Sequence, residues 1–268
     1  MDLHGRSVLL TGAGSGIGRA LALQLAEYAP RLTLVGRRPE PLEEVAAMVR
    51  ERGGQALVVQ ADLTAAGAPS VVVAATQEQF GGIDVLVNNA GNVRAGRLEA
   101  LEESEVLAQV ALNLSAPILL TRAALPALRA SGEGLVVNVS SGIALIGMPF
   151  YTTYAATKAG LAHFGEALRR ELFGEGVHVV NVFPGATSTP MMETSKAGTE
   201  HGFDYESPDN VAAATIAGIT DGSLTVVRGG ETRTQMITLN RTDPAAVDEL
   251  LNNRKAELEQ AVAGHSSL

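Results

Sequence analysis

The chain has 268 residues, 46% of them hydrophobic, with no cysteine and a net charge of −9. That is enough apolar material for one large core. Without cysteine there are no disulfides, thiolate nucleophiles or cysteine-held metals, which fits a cytoplasmic protein, and the negative charge argues against nucleic acid or an anionic membrane as a main partner.

Short β-type runs alternate with helix-period runs from the N-terminus onward. Residues 1–6 lack the basic-then-apolar order of a secretory leader, and no run of apolar residues reaches the ~18 needed for a membrane span. Residues 7–11 form an apolar strand that stops at Gly12-Ala13-Gly14-Ser15-Gly16-Ile17-Gly18; a helix over 17–28 follows, with Ile17, Leu21 and Leu25 at four-residue intervals. Strand, glycine turn and helix in that order suit a pyrophosphate. The glycines allow a tight turn and close backbone approach, and the helix N-terminus offers free N–H groups. Further strands are predicted at 32–35, 56–60, 85–88, 135–140, 177–183 and 224–228. Helices are predicted at 40–52, 66–80, 102–130, 152–173 and 208–220, the last opened by Ser207 as N-cap and Pro208 at the first helical position. Several strands are apolar throughout, as strands buried on both faces should be. The alternation predicts one doubly wound α/β domain over residues 1–242, a parallel seven-stranded sheet in three αβα layers with ligands at the carboxyl ends of its strands.

Two segments break the regularity. Residues 186–206 have no clear period, and a loop that long in a compact domain is usually functional. From Asp243 the apolar positions Val247, Leu250, Leu251, Leu258, Ala261 and Val262 predict an amphipathic helix, a C-terminal extension over 243–268 that packs on its own domain or on a second subunit.

Tyr154-Ala155-Ala156-Thr157-Lys158 puts a phenol and an ammonium four residues apart in a helical run, so both lie on one face, about 5–6 Å apart at Cβ. A free phenol ionises near pH ~10. A neighbouring cation favours the phenolate and draws that pKa toward neutrality, as general acid–base work requires. Ser141 stands thirteen residues earlier, at the end of an apolar run, where a hydroxyl would hold a carbonyl oxygen beside the phenol.

The order Thr11-Gly12-x-x-x-Gly16-x-Gly18, Asn88-Asn89-Ala90-Gly91, Asn113, Ser141, Tyr154-x-x-x-Lys158, Pro184-Gly185 resembles the short-chain dehydrogenase/reductase family over about residues 5–228. The resemblance implies a Rossmann-type fold and a catalytic set of Asn113, Ser141, Tyr154 and Lys158. Ser141 would hold the substrate oxygen and Tyr154 would donate or accept the proton. Lys158 would bind the nicotinamide ribose, and Asn113 would hold a relay water. The same resemblance assigns cofactor contacts to Gly12, Ser15, Gly16, Ile17, Gly18, Asp62, Leu63, Asn89, Ala90, Gly91, Pro184, Gly185, Thr187 and Thr189, besides Tyr154 and Lys158. It implies that residues 186–206 close over the substrate, and it implies no metal.

Relatives that prefer NAD place an acid at the end of the second strand, to accept the ribose hydroxyls. This chain has Gly36, then Arg37 and Arg38. A guanidinium pairs well with a 2′-phosphate, so NADP(H) is expected, although the basic residue that many such relatives carry before the second motif glycine is Ser15 here. Tyr151 is expected in the pocket wall, Ser140 to face away from the site and His201 to be solvated, while Met148, Phe150, Met191 and Met192 would either line an apolar pocket or pack in the core. The expected function is an NADP(H)-dependent oxidoreductase interconverting a small-molecule carbonyl and a secondary alcohol. Homo-oligomers would form through helices 102–130 and 152–173. The alternatives are a catalytically silent dinucleotide sensor and, against the glycine spacing, a nucleotide-sugar epimerase.

Overall fold

The computed structural model describes residues 1–268. Its strands are β1 (Ser7–Thr11), β2 (Arg31–Gly36), β3 (Gln55–Gln60), β4 (Val85–Asn88), β5 (Gly134–Val139), β6 (Val177–Phe183) and β7 (Thr225–Val227). All are parallel, in the order β3-β2-β1-β4-β5-β6-β7. The chain winds outward from β1 to β3, then resumes at β4 on the other side of β1. A crevice opens at the carboxyl ends of β1 and β4, where the winding reverses.

The helices between strands are α1 (Gly16–Leu25), α2 (Pro39–Glu51), α3 (Ala68–Phe80), α4 (Glu103–Val110), α5 (Ala116–Ala130), α6 (Thr152–Glu171) and α7 (Pro208–Thr220). Side chains alternate across a strand, and here both faces are covered. Val8 and Leu10 of β1 join the core under α1, α2 and α7, while Leu9 joins the core under α3, α5 and α6. Ser207 caps α7 as predicted, its hydroxyl accepting from Asn210 N–H at 3.1 Å.

The sheet carries an internal polar ladder. Asn88, Asn138 and Asn181 are in register across β4, β5 and β6. Asn88 Nδ2 donates to Asn138 Oδ1 at 2.9 Å, and Asn138 Nδ2 to Asn181 Oδ1 at 3.3 Å. A Cβ at Gly165 of α6 would come within 2.6 Å of Asn138 Nδ2. The glycine therefore lets α6, which bears Tyr154 and Lys158, sit close on the sheet.

Three expectations need correction. The helix predicted over 102–130 is interrupted by a π turn, Ala111–Ser115, between α4 and α5. By length and composition the run Glu103–Ala130 is apolar enough to cross a membrane; here Ala116, Leu120, Ala124 and Leu128 are buried in the core. The single tail helix is instead two, α9 (Pro244–Asn252) and α10 (Lys255–Ala261), preceded by α8 (Gly230–Thr242), which the sequence pattern did not announce. Val247, Leu258, Ala261 and Val262 are buried as expected, whereas Leu250 is exposed.

Candidate active site

The site is assembled at the carboxyl ends of β1, β4, β5 and β6. Its first wall is the glycine turn after β1. Gly12 has φ +65°, and a Cβ there would come within 2.9 Å of Asn89 Nδ2; only glycine meets both demands without strain. At Gly18 a Cβ would overlap the Gly12 carbonyl. Ser15 stands at the N-cap of α1 without a side-chain cap bond, which leaves its hydroxyl and the first helical N–H groups for a ligand. A cradle that any side chain would fill, ending on a helix N-terminus, fits a dinucleotide pyrophosphate.

Around that wall the residues expected to meet a cofactor make different contacts within the protein. Asn89 Nδ2 donates to the Thr11 carbonyl at 2.9 Å and the Gly12 carbonyl at 3.3 Å, so its amide shapes the turn. Thr11, which the sequence reading left unassigned, helps through its hydroxyl, which accepts from Asn89 N–H and Ala90 N–H. Leu63 and Ile17 anchor their segments to the core, leaving their backbone for a ligand. Asp62 is held below the usual carboxylate range, first by the Thr64 hydroxyl and N–H and also by the Arg37 charge. Arg37 and Arg38 are both exposed at the end of β2, and neither has an acidic partner within 4.0 Å. A Cβ at Gly36 would make only ordinary contact, 3.5 Å, with Leu42, so sterics do not forbid an acid there. Thr189 reaches the same wall, its Cγ2 3.0 Å from a Cβ position on Gly16. Thr187 is buried, and its hydroxyl donates to the Gly185 carbonyl at 3.1 Å.

The second wall comes from β5 and α6. Ser141 follows β5 in extended backbone, and its Oγ accepts from Ile143 N–H at 3.3 Å. Ser140 is buried and donates to the Lys158 carbonyl at 2.7 Å. It ties α6 to the sheet and is not available to substrate, as expected from strand alternation. Tyr154 and Lys158 share one face of α6, with Nζ 5.8 Å from the phenol ring centroid. Nζ donates to the Val139 carbonyl at 3.0 Å.

The electrostatics differ from expectation. Burial pushes the Tyr154 phenol up to about 12, with the Ser141 hydroxyl beside it pulling the other way. Burial pushes Lys158 down to about 8. Helical spacing fixes where the two Cβ atoms sit, but the ammonium is turned to Val139, so desolvation outweighs its pull on the phenol.

Asn113 sits in the π turn and is fully buried. Its Oδ1 accepts from Asn92 N–H and its Nδ2 donates to the Asn92 carbonyl, both at 2.9 Å. A Cβ on Gly91 would lie 3.1 Å from Asn113 Oδ1 and 3.3 Å from Lys158 Nζ, so asparagine, lysine and the loop after β4 meet at one point. π turns are frequent at functional positions. Gly142 N–H donates to the Pro184 carbonyl at 2.7 Å, joining the serine loop to the Pro184-Gly185 turn.

The third wall is built from long-range partners. Phe150, Tyr151, Val93, Ala95 and Ala197 cluster with Leu258, Ala261 and Val262 of the tail, with Met148, Met191 and Phe203 packed against them. Phe150 has φ +68°, a strained value for a bulky residue, at the turn that leads into α6. Tyr151 is buried in this cluster, its ring 6.4 Å from that of Tyr154. His201 is not solvated; its ring accepts from Gly198 N–H at 3.2 Å and it is only 11% exposed. Beside this wall an open groove of about 480 Å³ runs between Thr189, Met192, Ser195 and Tyr205. It adjoins the site without containing the Ser141 and Tyr154 hydroxyls.

Fold and site together define a nucleotide-binding oxidoreductase. The family model described as short chain dehydrogenase matches residues 6–200, and the chain belongs to that family. It is an enzyme acting on CH–OH and C=O groups with NAD(P). It is 32% identical over 254 residues to the ketoacyl reductase HetN of Nostoc sp., covering 92% of this chain and 88% of that protein. To a fatty acyl-CoA reductase of Mycobacterium tuberculosis it is 31% identical over 267 residues, covering 96% and 87%. Among solved structures, a short chain dehydrogenase of Burkholderia cenocepacia in complex with NADP superposes with a TM-score of 0.78 at 31% identity, covering 86% of this chain and 98% of that one. An alcohol dehydrogenase of Thermococcus sibiricus complexed with 5-hydroxy-NADP gives 0.77 at 26% identity, covering 84% and 96%.

Proposed function

We propose that the protein is an NADP(H)-dependent reductase or dehydrogenase that interconverts a carbonyl and a secondary alcohol, with Tyr154 as general acid/base. The observation that carries this reading is the convergence of Ser141, Tyr154, Lys158 and Asn113 beside a glycine cradle shaped for pyrophosphate. Hydride exchange with the substrate carbon is the chemistry that a bound nicotinamide would supply. Ser141 holds the substrate oxygen. Tyr154, protonated at neutral pH, donates to that oxygen during reduction and takes the proton back during oxidation. Lys158 holds the ribose side and, being titratable near pH 8, passes protons on toward water at the Asn113 turn. Gly12, Ser15, Gly16, Ile17 and Gly18 cradle the phosphates, and Asp62 and Leu63 meet the adenine. Ala90 and Gly91 line the ribose side, while Pro184, Gly185, Thr187 and Thr189 line the nicotinamide side.

The preference for NADP(H) rests on Arg37, with Arg38 beside it. Both are free of acidic partners at a strand end where an acid would fit but is absent. Exposed Leu107 and Leu119 on α4 and α5, with Phe173 89% exposed after α6, support an oligomer through those helices. Light scattering that returns a monomer would remove that claim. We take residues 243–268 as an extension that fastens the substrate loop. The function itself is tested by following NADPH absorbance against a panel of aldehydes, ketones and 3-oxo esters. No turnover on the panel, with NADPH bound tightly, would favour the sensor reading.

A further inference from the structure

We infer that Arg233 is a specificity-determining residue whose guanidinium receives a carboxylate on the substrate; this rests on the oxidoreductase reading of the Ser141–Tyr154–Lys158 site. Helix α8 follows β7 and turns its first residues back toward the site. A Cβ at Gly142 would overlap the Arg233 guanidinium and would also lie 3.2 Å from the Pro184 carbonyl. On the other side the Arg233 side chain lies against Gly229. The guanidinium thus rests on the backbone one residue from Ser141, where the serine loop bonds to Pro184. The two glycines leave room for it there.

No carboxylate touches that cation; the Glu206 and Asp204 charges act on it only from farther off. Four other half-buried guanidiniums have a carboxylate partner: Arg6 pairs with Asp84 and Glu133, Arg31 with Asp84, Arg94 with Glu105, and Arg228 with Glu206; Arg169, like Arg233, has none. Arg233 has no carboxylate within 4.0 Å, and its Nε is buried without a hydrogen-bond partner. Glu206 is the acid that acts on it most strongly, but its Oε2 already accepts from Arg228 Nε and Nη2 at 3.1 and 2.8 Å. Asp204, the next, is exposed in the loop. Burial works against the Arg233 charge, and a desolvated cation is costly until an anion and hydrogen bonds complete it. The planar fork matches a carboxylate in two-point contact. A substrate whose carbonyl lies at Ser141 and Tyr154 and which carries a carboxylate a few bonds away would supply that anion.

The rival role is a latch, in which Arg233 pairs with the free Oε1 of Glu206 when the loop moves. The test uses the full chain saturated with NADP⁺ and titrates two oxo acids, acetoacetate and levulinate, against their methyl esters by calorimetry. NADPH affinity is measured in parallel. At least one acid should bind roughly tenfold or more tighter than its ester, as for one charge-assisted contact. R233Q should erase the difference without changing NADPH affinity, and R233K should keep part of it. Should R233Q not fold, R233K reads the same ratio. Equal affinity of acid and ester, or binding of neither, overturns the proposal. So does an equal loss for acid and ester in R233Q, or an E206Q variant that mimics R233Q. Failure to bind NADPH at all strikes the oxidoreductase reading instead.

Discussion

The two sides of the site are built on different principles. The side proposed for the cofactor is made of backbone. Fully buried strands end at one edge, glycines set the turn, and Thr11 and Asn89 bond within it. The side proposed for the substrate is made of side chains from distant segments, a cluster of eight buried residues joining the loop after β4, the turn before α6, the 186–206 loop and the tail. Its ties are few. Ala95 N–H donates to the His265 carbonyl, Ser267 N–H to the Val93 carbonyl, and Lys196 N–H to the Ala261 carbonyl. Arg97 and Glu259 add a surface ion pair, worth ~0–1 kcal/mol. The difference teaches that one side is fixed by the sheet, while the other can be altered without touching it.

Substitutions can break or sharpen that contrast. The largest effect is expected where the sides meet. Tyr154→Phe should lose ~10²–10⁴ in turnover with NADPH affinity unchanged, measured on any accepted substrate; near-normal turnover would remove Tyr154 from the mechanism. Next, Leu258→Ala opens a cavity in the tail cluster and should cost about 2–5 kcal/mol in urea unfolding. It should weaken substrate affinity and leave NADPH affinity alone. A matching loss of NADPH affinity would show the two sides to be one unit.

The third prediction concerns pH. The folded pKa of Lys158 is lowered from 10.5 to about 8. Between those values the unfolded chain holds a proton that the folded chain has released, so stability rises with pH. Unfolding free energy should therefore gain about 2 kcal/mol between pH 8 and 10, relative to Lys158→Met. Tyr154 acts in the opposite sense, since its raised value makes stability fall from pH 10 toward 12. Parallel profiles for the two proteins would place the ammonium in water. Smallest is cofactor choice. NADPH should bind at least about tenfold tighter than NADH, ~1.4 kcal/mol, and Arg37→Ala should close most of the gap. Equal affinities in the unmodified protein would show Arg37 to be an ordinary solvated charge.

The same contrast explains what could be read from sequence. Strands and glycine turn were legible because backbone geometry limits the residues that fit, and β1, β4 and β6 end where their patterns do. Tyr154 and Lys158 were legible because one helix carries both. Their electrostatics were not, because spacing places Cβ atoms and says nothing of Val139 accepting from the ammonium. Helix α8 was missed since Gly-Glu-Thr-Arg-Thr-Gln has no apolar period and puts no apolar residue into the core. Arg233 was missed with it, for its meaning lies in contact with Gly142, some ninety residues away. The tail was read as one helix because its apolar positions continue past Asn252-Asn253, which favour caps over helix interiors.

The strap between residues 93–95 and 265–267 also orders events during folding. The pairing joins segments about 170 residues apart, and such a closure is entropically late. The sheet and its nucleotide cradle can form while the last helices are still emerging from the ribosome. The third wall cannot, so on the proposed reading a nascent chain would acquire the capacity to bind dinucleotide before the capacity to discriminate among carbonyl compounds. Chains stalled just short of α10 should bind NADPH and yet fail to hold substrate.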